Sequence, residues 1–218
     1  MKRDDVWKFI SLLELIVAAI VIYLDLLIPT LIVLGLCALS LIVRKEKLST
    51  LGFKKAERPL FMAAVVLILM VVWSLFHLSV SMPILNHITG TKQDLSSFEN
   101  LQGDLANLAF LLLATWTLAA FGEEIVYRGY LQRRVRDILG DGREGIVVAV
   151  LLTSLLFGLA HIEQGAIGVV LTAMDAVVFS AIKLKFDDNL WAAILAHGFS
   201  NTVGIVTFFF TGPIYGFW

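Results

Sequence analysis

The sequence predicts an all-α polytopic membrane bundle of about seven transmembrane helices, and three observations predict it. First, 59% of the 218 residues are apolar and only 16% are charged, where a soluble domain runs at roughly 45–50% and 25%. The mean hydropathy is +0.87, more carbon than one globule can hide, so an ordinary soluble enzyme is excluded. Second, the apolar residues fall into runs near the ~20 residues that a spanning helix needs. Third, sixteen of the 17 Lys and Arg side chains fall on one side of a seven-span arrangement.

Residues 9–43 form one apolar run whose only charges are Glu14 and Asp25. The run is too long for one span and suits a hairpin turning near Asp25–Pro29, with both acids solvated close to a turn or span end. A basic start followed by an apolar run resembles a signal peptide, but no small-x-small cleavage site precedes Asp25, so a retained first helix is expected. Residues 60–80 give a clean third span, and residues 105–127 a fourth that carries charge at its end. Residues 146–161, 166–182 and 190–211 complete the set. Between the third and fourth spans, residues 81–104 read as a solvated connector in which Ser96 and Glu99 have the spacing of a capping box. Residues 129–144 read as a basic helical extension ending at Gly140–Gly142.

Lys2, Arg3 and Lys8 precede the first span, and the clusters at 44–58, 128–143 and 183–185 share its side. Lys92 alone lies opposite. The positive-inside bias then puts the N-terminus in the cytoplasm and the C-terminus, with Tyr215, Phe217 and Trp218 at the interface, outside the cell membrane. The net charge of −1 gives no basic surplus for nucleic acid, and the single cysteine, Cys37, excludes an internal disulfide. No internal repeat is evident, which argues against an inverted-repeat transporter. Three segments are expected: residues 1–104 with the N-terminal helices and outer loop, a core at 105–211, and a short tail at 212–218.

Ionised groups inside a bilayer cost about 2.5–3.5 kcal/mol each on insertion scales, so embedded polar residues form the functional shortlist. Phe121-Gly-Glu123-Glu124-Ile-Val-Tyr-Arg128 places Glu124 and Arg128 at i, i+4, acid first, where they neutralise each other. Glu123 has no such partner and is free to act as a base. Taken alone, the cluster reads equally well as charge at a helix end. Phe157-Gly-Leu-Ala-His161 puts a ring and an imidazole on one face, with Ser154 seven residues before His161; alone, an interfacial histidine accounts for it. His197-Gly-Phe-Ser-Asn201 sets an imidazole and an amide on one face, suited to an oxyanion or to an interhelical hydrogen bond. Together, on three consecutive spans, they supply a Glu and a His to polarise water and a His and an Asn to hold a tetrahedral oxyanion. That is equipment for hydrolysing an amide. No HExxH or GxSxG motif is present. Asp175, midway along the sixth span, is an embedded acid left without a role; it either lines the same cavity or bonds to a neighbouring helix.

At these residues the sequence resembles the CPBP family, also called Abi, which includes type II CAAX prenyl endopeptidases and bacteriocin-processing or immunity proteins. Its pattern, EExxxR then FxxxH then HxxxN, is matched in order and spacing by Glu123–Arg128, Phe157–His161 and His197–Asn201, within about residues 105–204. The resemblance implies a glutamate-dependent intramembrane endopeptidase acting on a membrane-associated peptide or protein, prenylated at a CAAX-type end or carrying a leader. It implies that Glu123 activates water with help from His161, that Glu124 and Arg128 position it, and that His197 and Asn201 stabilise the oxyanion. No cofactor is expected; zinc held by Glu123, His161 and His197 is the alternative, ranked second because Asn201 is a poor zinc ligand. The competing function is a non-proteolytic binding or immunity protein of the same fold.

One expectation conflicts with this grouping. At 1.5 Å per residue, His197 lies roughly 13 Å past Asp188, while His161 lies about 25 Å past Glu144, some 10 Å too deep. Either the fifth span starts outside the bilayer, or it tilts, or its boundary at Gly145 is misplaced.

Overall fold

The computed structural model describes residues 3–218. Met1, Lys2 and the side chain of Arg3, which hold part of the N-terminal basic signal, lie outside the described residues. Seven long helices form the bundle, with no strand among the described residues: α1 (Arg3–Tyr23), α2 (Pro29–Arg44), α3 (Pro59–Thr89), α4 (Leu105–Leu139), α5 (Arg143–Leu159), α6 (Gly165–Lys185) and α7 (Leu190–Thr211). Five of them are long and apolar enough to cross a membrane, whereas α2 and α5 stop at 16 and 17 residues.

The first hairpin turns where Pro29 predicts. Asp25 and Leu27 take left-handed φ values of 47° and 56°, and Pro29 opens α2, where its missing N–H is not needed. Asp25 is exposed in the turn. Glu14 is not solvated, contrary to expectation. It receives Ser40 Oγ–H at 2.8 Å and pairs with Arg44 at 3.2 Å and Arg134 at 3.5 Å. Arg134 is itself fully buried, and it also pairs with Glu46 and Asp137. The correction has a plain cause: the partners of Glu14 come from α2 and α4, beyond the reach of local sequence.

A second correction concerns α3. The outer loop expected from Ser81 begins only after Thr89, because the helix continues through a π-helical stretch, His77–Ser81, into Met82–Thr89. Pro83 lacks an N–H for either the Ser79 carbonyl (α pattern) or the Leu78 carbonyl (π pattern). Both are taken by the C-terminal tail: Phe217 N–H donates to Leu78 at 3.0 Å and Trp218 Nε1–H to Ser79 at 2.8 Å. Neither carbonyl is therefore left without a donor. The capping box at Ser96 does not form either. Asp94 Oδ1 accepts the Ser96 N–H at 2.9 Å, and residues Ser96–Phe98 make a single 3-10 turn with no side-chain cap.

At the basic end of the bundle, α4 runs as a helix to Leu139, as the basic extension predicted, and Gly140 closes it at φ 91°. The connector after α2 is pinned to the α6–α7 turn, since Leu190 N–H donates to Gly52 at 2.8 Å. Apolar packing falls into two clusters. One joins α1, α2 and α4. In the other, Ala192, Ala193 and Ala196 of α7 let Met62, Val66 and Met70 of α3 approach closely, together with Phe179 of α6. Small residues are what close packing between helices in a membrane requires, because lipid provides little hydrophobic drive.

Candidate active site

From Thr115 to Leu131, α4 is wound almost entirely as a π-helix, a form scarce outside functional sites. Glu123, Glu124 and Arg128 all lie in this stretch. The wider winding keeps the i, i+4 pair: Arg128 Nη1 donates to Glu124 Oε1 at 2.8 Å, with side-chain exposures of 1% and 0%. The same Oε1 accepts His197 Nδ1–H from α7 at 2.9 Å. One carboxylate oxygen thus binds the first motif to the third.

Phe157 brings in the second motif. The Arg128 guanidinium lies 4.5 Å over its ring, and the His197 ring meets it edge-on at 5.7 Å. His161, one turn on, lies with its ring 4.7 Å from Phe157 and its Nδ1–H donated to the Phe157 carbonyl at 2.8 Å. A carbonyl only accepts, so the proton on Nδ1 is fixed and Nε2 carries the lone pair. Glu123 is half-buried on the same π-wound stretch. Asn201, one turn beyond His197, is also half-buried, and its amide makes no hydrogen bond among the described residues.

His161 is brought to the other motifs by packing: Phe157, one turn before it, lies against both Arg128 and His197.

Three polar atoms at the centre are buried without a partner in the chain: Glu123 Oε2, Glu124 Oε2 and Arg128 Nη2. Each such atom costs about 1–3 kcal/mol unless something else satisfies it. Hydrogen-bonding capacity is therefore left unmet on Glu123 and on the Glu124–Arg128 pair. Among the described residues, no group of three His, Cys, Asp or Glu side chains is placed as a set of metal ligands.

Two aromatic residues at the site carry no signal in the sequence. Phe179 of α6 stacks on the His197 ring at 5.1 Å and lies 5.4 Å from the Arg128 guanidinium. Trp116 of α4 fills the space left by Gly198, where a Cβ would come within 2.5 Å of the indole carbons. Asp175 is set apart from this group. Its Oδ1 accepts Trp73 Nε1–H at 2.6 Å and His77 Nε2–H at 3.0 Å, so it bonds to the neighbouring helix α3.

Residues 105–203 match the family model described as type II CAAX prenyl endopeptidase Rce1-like. The match bears out the family resemblance seen in the motifs, holds all seven motif residues and covers a little under half the chain. No curated protein and no solved structure matches.

Proposed function

We propose that this integral membrane protein is an intramembrane endopeptidase that uses no metal and hydrolyses a peptide bond of a membrane-associated substrate, of the prenylated CAAX type or bearing a leader. The observation that carries the reading is the Glu124 oxygen shared by Arg128 and His197, with Phe157 packed against both, because it draws three separate motifs to one buried point.

In this mechanism Glu123 is the general base. It takes a proton from water while His161 Nε2, its lone pair free, accepts a hydrogen bond from the same water and orients it. The hydroxide so formed attacks the scissile carbonyl. His197 acts in this reading as an imidazolium: Nδ1–H is held by the Glu124 carboxylate and a second N–H, at Nε2, is offered to the substrate. Together with the Asn201 amide it stabilises the tetrahedral oxyanion. Arg128 neutralises Glu124 and has no contact with the reacting atoms. The proton on Glu123 then passes to the leaving amine, which completes hydrolysis. We further propose the N-in, C-out topology that the Lys/Arg distribution indicates.

The test is cleavage by purified protein in vesicles, with Glu123→Ala, His161→Ala and His197→Ala beside the parent. General acid–base groups are typically worth 10²–10⁴-fold, so each variant should fall by at least about that lower bound. Full activity in all three sinks the mechanism. Loss of activity on treatment with o-phenanthroline overturns its metal-free form.

A further inference from the structure

α6 and α7 run antiparallel from their turn at Asp187–Asp188, and the Phe179–His197 stack fixes their register. One turn farther from the basic end, Asp175 is level with Asn201. Seven residues from the stack, Thr172 is level with Gly204, and seven residues return a helix to the same face. Thr172 and Gly204 therefore lie on the seam that the stacked rings occupy. Yet Gly204 is exposed, and a Cβ placed on it would meet no atom within 4 Å. α7 therefore borders open space at Gly204, the mouth of an inferred α6–α7 cleft that ends at the Phe179–His197 stack, past Asn201 on α7 and Asp175 on α6.

Asp175 is prepared for a ligand. Trp73 and His77 both donate to Oδ1, which fixes the carboxylate, while Oδ2 makes no hydrogen bond and the side chain stays 22% exposed. His77 Nδ1 is buried without a partner. The contact with Asp175 requires a proton on Nε2, since a carboxylate only accepts. Among the described residues no Lys or Arg pairs with Asp175, whereas Glu14 and Glu124 each hold an arginine. A fixed carboxylate thus sits at the depth of the site with one oxygen uncommitted and no Lys or Arg of its own.

We propose that Asp175 is a specificity-determining residue that receives a basic side chain, Lys or Arg, of the peptide lying in the α6–α7 cleft. The proposal rests on the peptidase reading for its ligand, not for its chemistry. The level of Asp175 is one helical turn, about 5.4 Å, from that of His197. At ~3.3 Å per extended residue, the basic residue stands about two positions from the scissile bond. Burying the substrate cation beside Asp175 lets each charge compensate the other in a place where neither has water.

The test uses full-length protein carrying Glu123→Gln, reconstituted in phosphatidylcholine vesicles and offered synthetic membrane-inserting peptides. Each peptide position in turn holds lysine, glutamine or norleucine, and retained peptide is measured by mass spectrometry. Lysine should be retained about tenfold over norleucine and glutamine at one position, and Asp175→Asn should erase that preference. The amide oxygen of Asp175→Asn still accepts from Trp73 and His77, so the fold is kept. A lysine preference that survives Asp175→Asn, equal retention of glutamine, or no preference at all overturns the assignment. Cleavage by the protein with Glu123 intact, run in parallel, separates the two claims: Asp175-dependent retention without any cleavage sinks the peptidase and leaves the subsite standing.

Discussion

His197 gives its Nδ1–H to the same oxygen of Glu124 that Arg128 holds, at 2.9 and 2.8 Å, and all three side chains are buried. Removing the carboxylate strands a guanidinium with no compensating charge, and breaking a buried pair in this way costs about 3–5 kcal/mol. Glu124→Ala should therefore lower stability by that order as well as abolish activity. Glu124→Leu combined with Arg128→Met should regain most of the stability, since apolar replacement of a whole buried pair is often neutral, and should stay inactive. Thermal unfolding in detergent alongside cleavage checks both. An inactive Glu124→Ala protein with unchanged unfolding would show that the pair does not hold the fold.

The helix count, the hairpin at Pro29 and the pairing of Glu124 with Arg128 were all legible, because each depends on local spacing or on charge within a single run. The π winding of α4 was not legible, since Thr115–Leu131 has the composition of any apolar helix and i, i+4 partners meet in either form. Phe179 and Trp116 carry no polar mark, and only the packing of α6 and α4 on α7 brings them to His197 and Gly198. Glu14 was misplaced for the same reason: Arg134 lies 120 residues away in the chain. The i, i+4 pairing of Glu124 with Arg128 was thus readable from spacing, while contacts made between distant helices, polar or apolar, were not.

Gly198 separates His197 from Phe199, and its missing Cβ is what admits the Trp116 ring. Any side chain at 198 must displace the indole, which is also held edge-on against Phe199 at 5.4 Å. Overpacking of this kind typically costs about 1–3 kcal/mol. Gly198→Ala should lose stability in that range and lose activity through the adjoining His197. Adding Trp116→Leu, which opens the space, should restore a large part of both. Failure of the second substitution to rescue would show that glycine is needed at 198 for some reason other than Trp116.

Asp188 lies in the turn between α6 and α7, outside the spanning segments. Burial alone would raise its pKa, but the charges and hydrogen bonds of Lys183 and Arg136, at 2.6 and 2.8 Å, outweigh burial and hold it at about 2. A carboxyl depressed below its unfolded value of about 3.9 stabilises the folded state fully above that value, and the contribution disappears as pH falls through about 2. Unfolding temperature in detergent should therefore drop between roughly pH 4 and pH 2. Asp188→Asn should be less stable at neutral pH, with a smaller drop across the same window. An unchanged profile in the variant would remove Asp188 from the acid response.

Pro83 lacks the N–H that would meet one carbonyl of α3, Ser79 in the α pattern or Leu78 in the π pattern, and the last two residues of the chain bond to both. Gly216 makes the approach possible: it takes φ 108°, and a Cβ there would come within 2.8 Å of the proline ring. A net hydrogen bond contributes about 0.5–1.5 kcal/mol, so removing Phe217 and Trp218 should cost roughly 1–3 kcal/mol. Hydrogen exchange should rise in the Met82–Thr89 segment, which these contacts steady. Pro83→Ala restores the missing N–H, so the same truncation in that background should cost less, by about the worth of one bond. The four-way comparison of unfolding temperatures isolates this coupling from the general loss of aromatic contact, which is equal in both backgrounds. Equal costs with and without the proline would mean that the tail holds α3 by packing alone.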